Sequence, residues 1–274
     1  MSLNTILLPH DGSALSGSVA ASLAPFILGA ASPVQVVLLH VADVDAGEPV
    51  DLDATEGYLS GLGARVTREY RTGPDAAATI LSVAGELSVD LVAMSTHGRS
   101  GLSRWVRGSV AERVLRACPV PLWLSNPRSA PTRSVRSVLI PMDGSECANG
   151  VLGPLVPLLT ALGAEVTLLY VDYAGTTDTP GMAAVRRVAR EADVRGWLAV
   201  PMERLQRAGI ATAVKVVHGA PAEEILRATE SGAFDLLAMA THGRSGPGRW
   251  VLGSTAEKVL AHSAICTFVV RARS

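Results

Sequence analysis

The chain of 274 residues is poor in charged residues, aromatic side chains and cysteine. Charged residues make up only 18% of it and leave a formal net charge of −1, so no basic surface for nucleic acid is expected. The three cysteines, Cys118, Cys147 and Cys266, lack CxxC spacing, which excludes a disulfide framework and a thiolate zinc site. Neither of the two lysines lies in a glycine-rich loop, which excludes a P-loop.

Long hydrophobic runs are also missing. The longest uncharged apolar stretch, Cys147 to Ala164, is interrupted by three glycines and two prolines. A membrane-spanning helix needs about 20 predominantly apolar residues. The first 13 residues have no basic region ahead of an apolar segment, so they predict a β-strand and not a signal peptide. We therefore expect a cytoplasmic protein without a membrane or nucleic-acid partner.

The sequence instead contains a long internal repeat. Residues 93–115 align without gaps to residues 238–260, with 17 of 23 positions identical. TILLPHDGS at 5–13 likewise matches SVLIPMDGS at 137–145. A segment rich in Pro, Ser and Arg separates the two copies and is typical of a linker. The repeat predicts a first domain at 1–127, a linker at 128–136 and a second domain at 137–274.

Each half alternates apolar strand patterns with helical patterns. Five strands and four helices are predicted in each half, including single long helices at 13–30 and 146–162. The strands read as continuously apolar, which is typical of a sheet with helices on both faces. We therefore expect an α/β fold with two tandem, doubly wound, parallel five-stranded sheets of Rossmann-like type. Ligands of such sheets bind beyond the carboxyl ends of the strands, where the winding reverses.

One loop in each half has a spacing suited to a phosphate group. Gly98 is followed by nine residues and then by the pair Gly108–Ser109, and Gly243 is followed in the same way by Gly253–Ser254. Glycine permits close approach of the backbone to a ligand, and the helix predicted after each pair presents unpaired N–H groups. Arginines within the loop would add positive charge. The pattern indicates a site for a polyphosphate.

The two serines also have a purely structural interpretation. Ser109 with Glu112, and Ser254 with Glu257, form S-x-x-E sequences, which are typical of a capping box that satisfies a helix N-terminus without any ligand. Duplication followed by little divergence would explain why both halves share the spacing. Ligand binding and helix capping both stay open at this point.

A second polar cluster ends the first strand of each half. Asp11 in PHDGS and Asp143 in PMDGS lie next to the predicted switch point of the sheet. A carboxylate at this place can accept hydrogen bonds from a sugar hydroxyl or a base. It can equally cap the helix that follows.

Together these residues resemble the universal stress protein family. The resemblance is carried by the strand ending in P-x-D-G-S, by MSTHGRSG and MATHGRSG, and by RGSVAERVL and LGSTAEKVL. It covers nearly the whole chain apart from the linker and one insertion. It implies two tandem domains of the adenine nucleotide alpha hydrolase-like fold. It also implies an adenine nucleotide as ligand, ATP, ADP or AMP, with or without Mg²⁺.

The binding residues of the family carry over to the positions that match its motif. The resemblance implies that Asp11 and the backbone of Val41 face the base and ribose, and that the glycine loop holds the phosphates. The implied set of the first half is Pro9, Asp11, Val41, Met94, Gly98, Gly108, Ser109 and Val110. The implied set of the second half is Pro141, Asp143, Val171, Met239, Gly243, Gly253, Ser254 and Thr255. For the two valines and the two methionines, core packing is the structural alternative.

Family members that bind ATP are marked by G-x2-G-x9-G-[ST], and this chain departs from that pattern at the first glycine. Ser95 and Ala240 occupy the position. A small side chain fits there if the backbone φ is negative, whereas a positive φ would penalise it.

The expected function is a non-catalytic stress-response protein that binds an adenine nucleotide in each domain. The alternatives are a nucleotide-free structural or interaction module of the same fold, and a weak ATPase. The ATPase is disfavoured because the sequence offers no general base with a supporting partner and no acidic pair for Mg²⁺.

Histidines follow three predicted strands of the first half, namely His10, His40 and His97. These positions permit a metal site. The second half has Met142 and Tyr170 in place of the first two, and no carboxylate or cysteine spacing reinforces such a site. We therefore expect neither a metal site nor catalytic residues.

The resemblance also predicts how the halves associate. The final strands, 119–125 and 265–271, should meet edge to edge, which makes the chain an internal pseudo-dimer and covers two apolar edges. The offset between the copies rises from 132 to 145 residues, so the second half carries an insertion of 13 residues. This insertion lengthens a helix predicted at 181–208, which we expect to cover the sheet. Association of two chains into a homodimer stays open.

Overall fold

The computed structural model describes residues 3–43, 50–96, 110–129, 134–173, 180–241 and 252–271, with the backbone alone for 180–192. The first half contains β1 (Thr5–Pro9), α1 (Ala14–Ser22), α2 (Ala24–Gly29), β2 (Gln35–Ala42), α3 (Asp53–Gly61), β3 (Arg65–Thr72), α4 (Ala76–Glu86), β4 (Leu91–Ser95), α5 (Val110–Ala117) and β5 (Leu122–Ser125). The second half contains β6 (Ser137–Met142), α6 (Glu146–Asn149), α7 (Leu152–Leu162), β7 (Glu165–Asp172), α8 (Pro180–Arg207), β8 (Thr212–His218), α9 (Pro221–Glu230), β9 (Leu236–Ala240), α10 (Ser254–His262) and β10 (Cys266–Val270).

All ten strands belong to one sheet, in the order β3-β2-β1-β4-β5-β10-β9-β6-β7-β8. Within each half all neighbouring strands are parallel. The winding reverses between β1 and β4 in the first half and between β6 and β9 in the second. This order confirms the predicted doubly wound α/β fold and fixes where a ligand would bind.

The two halves join through their last strands. β5 and β10 pair in antiparallel register, so that Leu124, Trp123 and Leu122 lie opposite Thr267, Phe268 and Val269. The side-chain Nδ2 of Asn126 donates a further hydrogen bond of 2.9 Å to the carbonyl oxygen of Ser263. The predicted edge-to-edge contact is therefore confirmed, and the two five-stranded sheets form one continuous sheet.

The two long helices predicted at 13–30 and 146–162 are each broken in two. The first break falls at Leu23, because Pro25 has no N–H with which to continue the helical hydrogen bonds of α1. In the second half Pro154, the third residue of α7, has no N–H to donate to the carbonyl oxygen of Gly150. The helical hydrogen bonds are therefore interrupted, and α6 is a separate helix of four residues.

The outermost strands depart from the predicted continuous apolar pattern. β3 (RVTREYRT) and β8 (TAVKVVH) alternate exposed and partly buried side chains along most of their length. Each pairs with a single neighbour at an edge of the sheet, where helices cover less of the surface. The prediction holds for inner strands such as β4 and β9, whose residues are almost all buried.

The insertion of the second half lengthens the corresponding helix, so that α8 has 28 residues where α3 has nine. Val194, Leu198 and Leu205 project from α8 into the core, at the spacing of one helix face. The helix therefore covers the sheet, as predicted. None of the helices in the described ranges combines the length and apolar character that crossing a membrane requires.

Candidate functional site

The two central strands of each half stop pairing where the winding reverses, and the gap beyond their last paired residues is here called the crevice of that half. β1 pairs with β2 as far as Pro9, but with β4 only at Ile6 and Leu7. The backbone N–H of His10 donates to the carbonyl oxygen of Leu39 in β2. Successive backbone nitrogens of a strand face opposite neighbours, so the nitrogen of Pro9 faces β4. Proline has no N–H, so Pro9 cannot donate a hydrogen bond to β4. The β1–β4 ladder ends for that reason. The second half repeats the arrangement, with Pro141 in the same position.

The PHDGS and PMDGS turns lie at the mouths of these crevices. Gly12 and Gly144 adopt φ values of +84° and +79°, which explains why glycine follows each aspartate. The Oδ1 atom of Asp11 accepts a hydrogen bond of 3.0 Å from the amide of Ser13, and Asp143 accepts one of the same length from Ser145. Each carboxylate is thereby fixed beside the carboxyl end of its strand.

Of the two alternatives for these aspartates, helix capping is wrong. Ser13 is the N-cap of α1 and its hydroxyl accepts from the amide of Ser16, while Ser145 caps α6 and accepts from Ala148. Asp11 and Asp143 are held by the capping serines and contribute to the turn instead. Both carboxylates are only partly buried, so each reaches the surface of the crevice.

A hydrogen bond from Gly253 places the N-terminus of α10 beside the second crevice. The amide of Gly253 donates a hydrogen bond of 3.2 Å to the carbonyl oxygen of Thr241, directly after β9. The first helical bond of α10 runs from Glu257 to Gly253. The amides of Ser254 and Thr255 precede that bond, so they point beyond the helix and are suited to an anion.

The predicted capping box at Ser254 is also wrong. Gly253, with φ −62° and ψ 140°, is the N-cap of α10, and Ser254 is the first helical residue. Its side chain is exposed and that of Thr255 is partly buried. In the first half α5 begins at Val110, which is 39% exposed. Gly98, Gly108, Ser109 and Gly243 lie outside the described residues.

The residues implied to line the base show a mixed exposure. Met94 and Met239 are buried, at 6% exposure each, in the hydrophobic layer between the sheet and α4, α5, α9 and α10. Val41 and Val171 are partly buried and pack against the same layer. Core packing therefore accounts for most of the surface of the two methionines.

The substitution of the first motif glycine brings no backbone strain. Ser95 and Ala240 are the last residues of β4 and β9. Among the described residues, Ser88 is the one non-glycine residue with a positive φ. A side chain is therefore accommodated at both motif positions without a conformational penalty.

The two crevices differ in the residues behind the aspartate. Nδ1 of His10 accepts a hydrogen bond of 3.0 Å from the amide of Gly12, and its Nε2 lies 3.0 Å from the hydroxyl of Thr55. Ser16 approaches Nδ1 at 3.3 Å. The second half has Met142 and Ala148 at the positions of His10 and Ser16. From the sequence, His10 was considered only as a metal ligand, and Ser16 and Thr55 were missed. The signal that could have found His10 and Ser16 is that both differ between the two repeats.

His10 and His40 are both buried and contact each other through the backbone. Nδ1 of His40 lies 2.9 Å from the carbonyl oxygen of His10. Burial lowers the pKa of the His10 imidazole below its ordinary value, nearby Asp11 opposes this, and His40 lowers the pKa further. No cluster of three metal-ligating side chains occurs within the residues that the structure describes.

A polar pair ends the neighbouring strands of the second half. Nδ1 of His218 lies 3.4 Å from Oδ2 of Asp172, whose side chain is 7% exposed. The register partners in the first half are Ala42 and Thr72. This second difference between the halves was also missed, because Asp172 falls within a strand pattern that reads as core.

Two cavities lie away from the crevices. One of about 530 Å³ occurs at the amino ends of β6, β7 and β8, lined by residues such as Ser137, Ala164 and Ile210. Another of about 330 Å³ lies between α2 and α7, lined among others by Phe26 and Leu158. Parallel sheets bind ligands at the opposite ends of their strands, so the crevices are the stronger candidate site.

Comparison with known proteins gives a consistent family match. The model of the universal stress protein family matches residues 2–125 and 134–271. Universal stress protein Slr1230 of Synechocystis is 30% identical over 164 residues, which is 60% of this chain and 51% of that protein. Universal stress protein MJ0531 of Methanocaldococcus jannaschii is 26% identical over 50% of this chain and 82% of its own length. The chain thus spans about half the length of its Synechocystis relative.

A solved structure shows the same fold over nearly the whole chain. The universal stress protein of Archaeoglobus fulgidus superposes with a TM-score of 0.71 at 22% identity, and the match covers 98% of this chain and 96% of that one. The arrangement of two domains in one continuous chain is therefore shared with a known protein.

Proposed function

The chain belongs to the universal stress protein family, and from this premise and the geometry of its crevices we propose that it is a stress-response protein that binds an adenine nucleotide, with one site in each half. The observation that carries the proposal is the meeting of two features at one switch point. Asp143 follows β6, and the start of α10 is tied by Gly253 to the end of the adjacent strand β9. A carboxylate and a helix N-terminus thus lie beside the same crevice.

The two features suit different parts of a nucleotide. An aspartate oxygen accepts hydrogen bonds from ribose hydroxyls or base N–H groups. The first-turn amides of α10, with the hydroxyls of Ser254 and Thr255, donate to phosphate oxygens. The residues present therefore fit an adenine nucleotide, with or without Mg²⁺, and Asp11 with the start of α5 would take the same roles in the first half.

The proposal includes turnover that is slow or absent. Phosphoryl transfer needs a positioned nucleophile, and usually also a metal ion and a cationic side chain close to the transferred phosphate. The side chains behind Asp143 are Met142 and Ala148, which cannot accept a proton. In the first half the Nδ1 lone pair of His10 already accepts the amide of Gly12. The site is suited to holding a nucleotide.

The test is the ligand content and the affinity of the full chain. We expect mass spectrometry of protein denatured after purification to release ATP, ADP or AMP, and calorimetry of the stripped protein with ATP to give two sites per chain. Absence of nucleotide together with absence of binding heat would contradict the proposal and favour a structural or interaction module. ATP consumption above background, lost in Asp11→Ala and Asp143→Ala, would instead favour the weak ATPase.

A further inference from the structure

His10 holds the turn that carries Asp11 in the first half, and its counterpart in the second half is Met142. We propose that His10 is a pH-responsive positioning residue, which keeps the first site competent only while its imidazole is neutral and leaves the second site insensitive to the same change. This inference rests on the proposed function, since it concerns the regulation of those two sites.

The hydrogen bonds define the protonation state of the ring. The amide of Gly12 can only donate, so Nδ1 of His10 must present a lone pair to it at 3.0 Å. The proton of the neutral ring then lies on Nε2, which faces the hydroxyl oxygen of Thr55 at 3.0 Å. The hydroxyl of Ser16 lies 3.3 Å from Nδ1, but its proton is directed to the carbonyl oxygen of Ser13 at 2.9 Å. The amide of Gly12 in the turn and the hydroxyl of Thr55 in α3 are therefore the two groups that select this neutral tautomer.

The ring is enclosed, and few charged groups face it. His10 is 6% exposed and His40 of β2, which lies against its carbonyl oxygen, is 9% exposed. Among the residues that the structure describes, the titratable groups around the ring are Asp11 of its own turn, His40 of β2 and, behind His40, Tyr70 of β3, whose ring lies 6.4 Å from that of His40. α1 and α3 contribute the uncharged Ser16 and Thr55. His97 lies outside the described residues.

Protonation of His10 would place a second N–H in front of the Gly12 amide. Two donors cannot share one hydrogen bond, so the amide or the ring has to move. Gly12 has little freedom to adjust, because its φ of +84° is set by the tight turn. Asp11 lies between the two residues and its carboxylate is fixed by Ser13, so a shift of the turn displaces the carboxylate.

The second half shows the same turn built without a titratable ring. Met142 and Ala148 replace His10 and Ser16. In the first half the hydroxyl of Ser13 donates to the hydroxyl of Ser16. In the second half Ala148 offers no such acceptor, and the hydroxyl of Ser145 donates to Oδ1 of Asp143 at 2.6 Å. The carboxylate of Asp143 is thus fixed by two bonds from Ser145, a residue whose side chain is not titratable. The second half of the chain therefore serves as an internal control for the first.

The binding experiment compares the two sites at several pH values. Asp143→Ala isolates the first site and Asp11→Ala isolates the second, and ATP affinity is measured by calorimetry from pH 7.5 to about pH 4.5, because burial lowers the pKa of His10. The phosphates of ATP titrate in this range, but they affect both sites alike, so the ratio of the two dissociation constants is the readout. We expect the first site to weaken relative to the second as the pH falls, by about tenfold where the pH lies one unit below the pKa of the His10 ring.

The matched variants exchange the residues between halves. His10→Met with Ser16→Ala, made in the Asp143→Ala background, should remove the pH dependence of the first site while binding at pH 7.5 is retained. Met142→His with Ala148→Ser, made in the Asp11→Ala background, tests whether the pair alone confers the effect. If both sites bind ATP and their affinities change in parallel with pH, His10 has no positioning role.

A second measurement does not need nucleotide. In NMR spectra of the full chain, the amide resonance of Gly12 should shift with the same midpoint as the His10 ring, and the amide of Gly144 should not shift. A Gly12 resonance that stays constant while His10 titrates would overturn the inference. Failure of ATP to bind either site at pH 7.5 would overturn the proposed function, and the NMR result would still decide the coupling of His10 to the turn.

Discussion

Trp123 of β5 and Phe268 of β10 lie directly opposite each other across the antiparallel junction of the two halves. Both side chains are buried, and the ring of Phe26 meets that of Trp123 edge to face at 4.6 Å. The indole N–H donates a hydrogen bond of 2.7 Å to Ser22 at the end of α1. One side chain thus connects the junction, the first-half core and α1.

Truncation of Trp123 is expected to destabilise the whole chain. Trp123→Ala should lower the free energy of unfolding by about 3–5 kcal/mol, the usual cost of deleting a large buried aromatic side chain. Trp123→Phe keeps most of the apolar contact but leaves the hydroxyl of Ser22 without its indole donor, so a loss of about 1–3 kcal/mol is expected. Urea denaturation followed by circular dichroism gives both values. A loss below about 1 kcal/mol for Trp123→Ala would show that the junction carries little stability.

The positive φ of Gly144 predicts a cost for any side chain at that position. Gly144→Ala should lower the free energy of unfolding by about 1–2 kcal/mol, because an L-residue is strained in the left-handed region. Its control is Gly57→Ala in the middle of α3, where a Cβ meets no atom within 4 Å and the helix gains about 0.5–1 kcal/mol. Equal effects of the two variants in thermal unfolding would contradict the turn geometry.

The start of α10 is the position where a bulky side chain should block phosphate. Gly253→Val is expected to abolish nucleotide binding in the second half and to leave the first site unchanged, so calorimetry would find one site per chain. The backbone of Gly253 is extended, so valine should bring no large loss of stability. Gly57→Val on the exposed face of α3, with no atom within 4 Å of its Cβ, is the control and should retain two sites. Undiminished binding by Gly253→Val would remove α10 from the phosphate site.

The thiols should differ in reactivity according to burial. Cys118 and Cys266 are buried, and burial raises the pKa of both thiols, that of Cys266 to about 12. The thiolate is the reactive form, so neither should react at pH 8, where both remain protonated. Cys147 is half-buried and should react first. A colorimetric thiol reagent should therefore label one cysteine in the native chain and three in denaturant, and Cys147→Ser should remove the native reaction.

Much of the fold could be predicted because both copies of the repeat show the same alternation of apolar strand patterns and helical patterns. The inner strands follow from their apolar runs, whereas the joining of β5 to β10 was implied by the family resemblance, and the cover that it gives to two apolar edges is its physical reason. The breaks before Pro25 and Pro154 were missed because the apolar pattern continues through them. Proline removes a backbone donor without interrupting that pattern, so the loss appears only when each hydrogen bond is assigned.

The position of the candidate site in the fold could be predicted from the sequence, but the structural role of each polar residue in it could not. Asp11 and Asp143 were placed correctly at the switch points, yet the residues that cap the next helices are Ser13 and Ser145. An S-x-x-E sequence likewise predicts a capping box at Ser254, while the chain turns one residue earlier, at Gly253. Which of two adjacent polar residues caps a helix depends on backbone angles that spacing does not determine.

The antiparallel junction has a consequence for communication between the sites. Strands of the first half run antiparallel to those of the second, so the two crevices lie at opposite ends of the strands of one sheet. Nucleotides held at the two proposed sites would therefore not touch each other. A partner that contacts one end of the strands would meet one proposed site and not the other, so the two halves could be recognised independently.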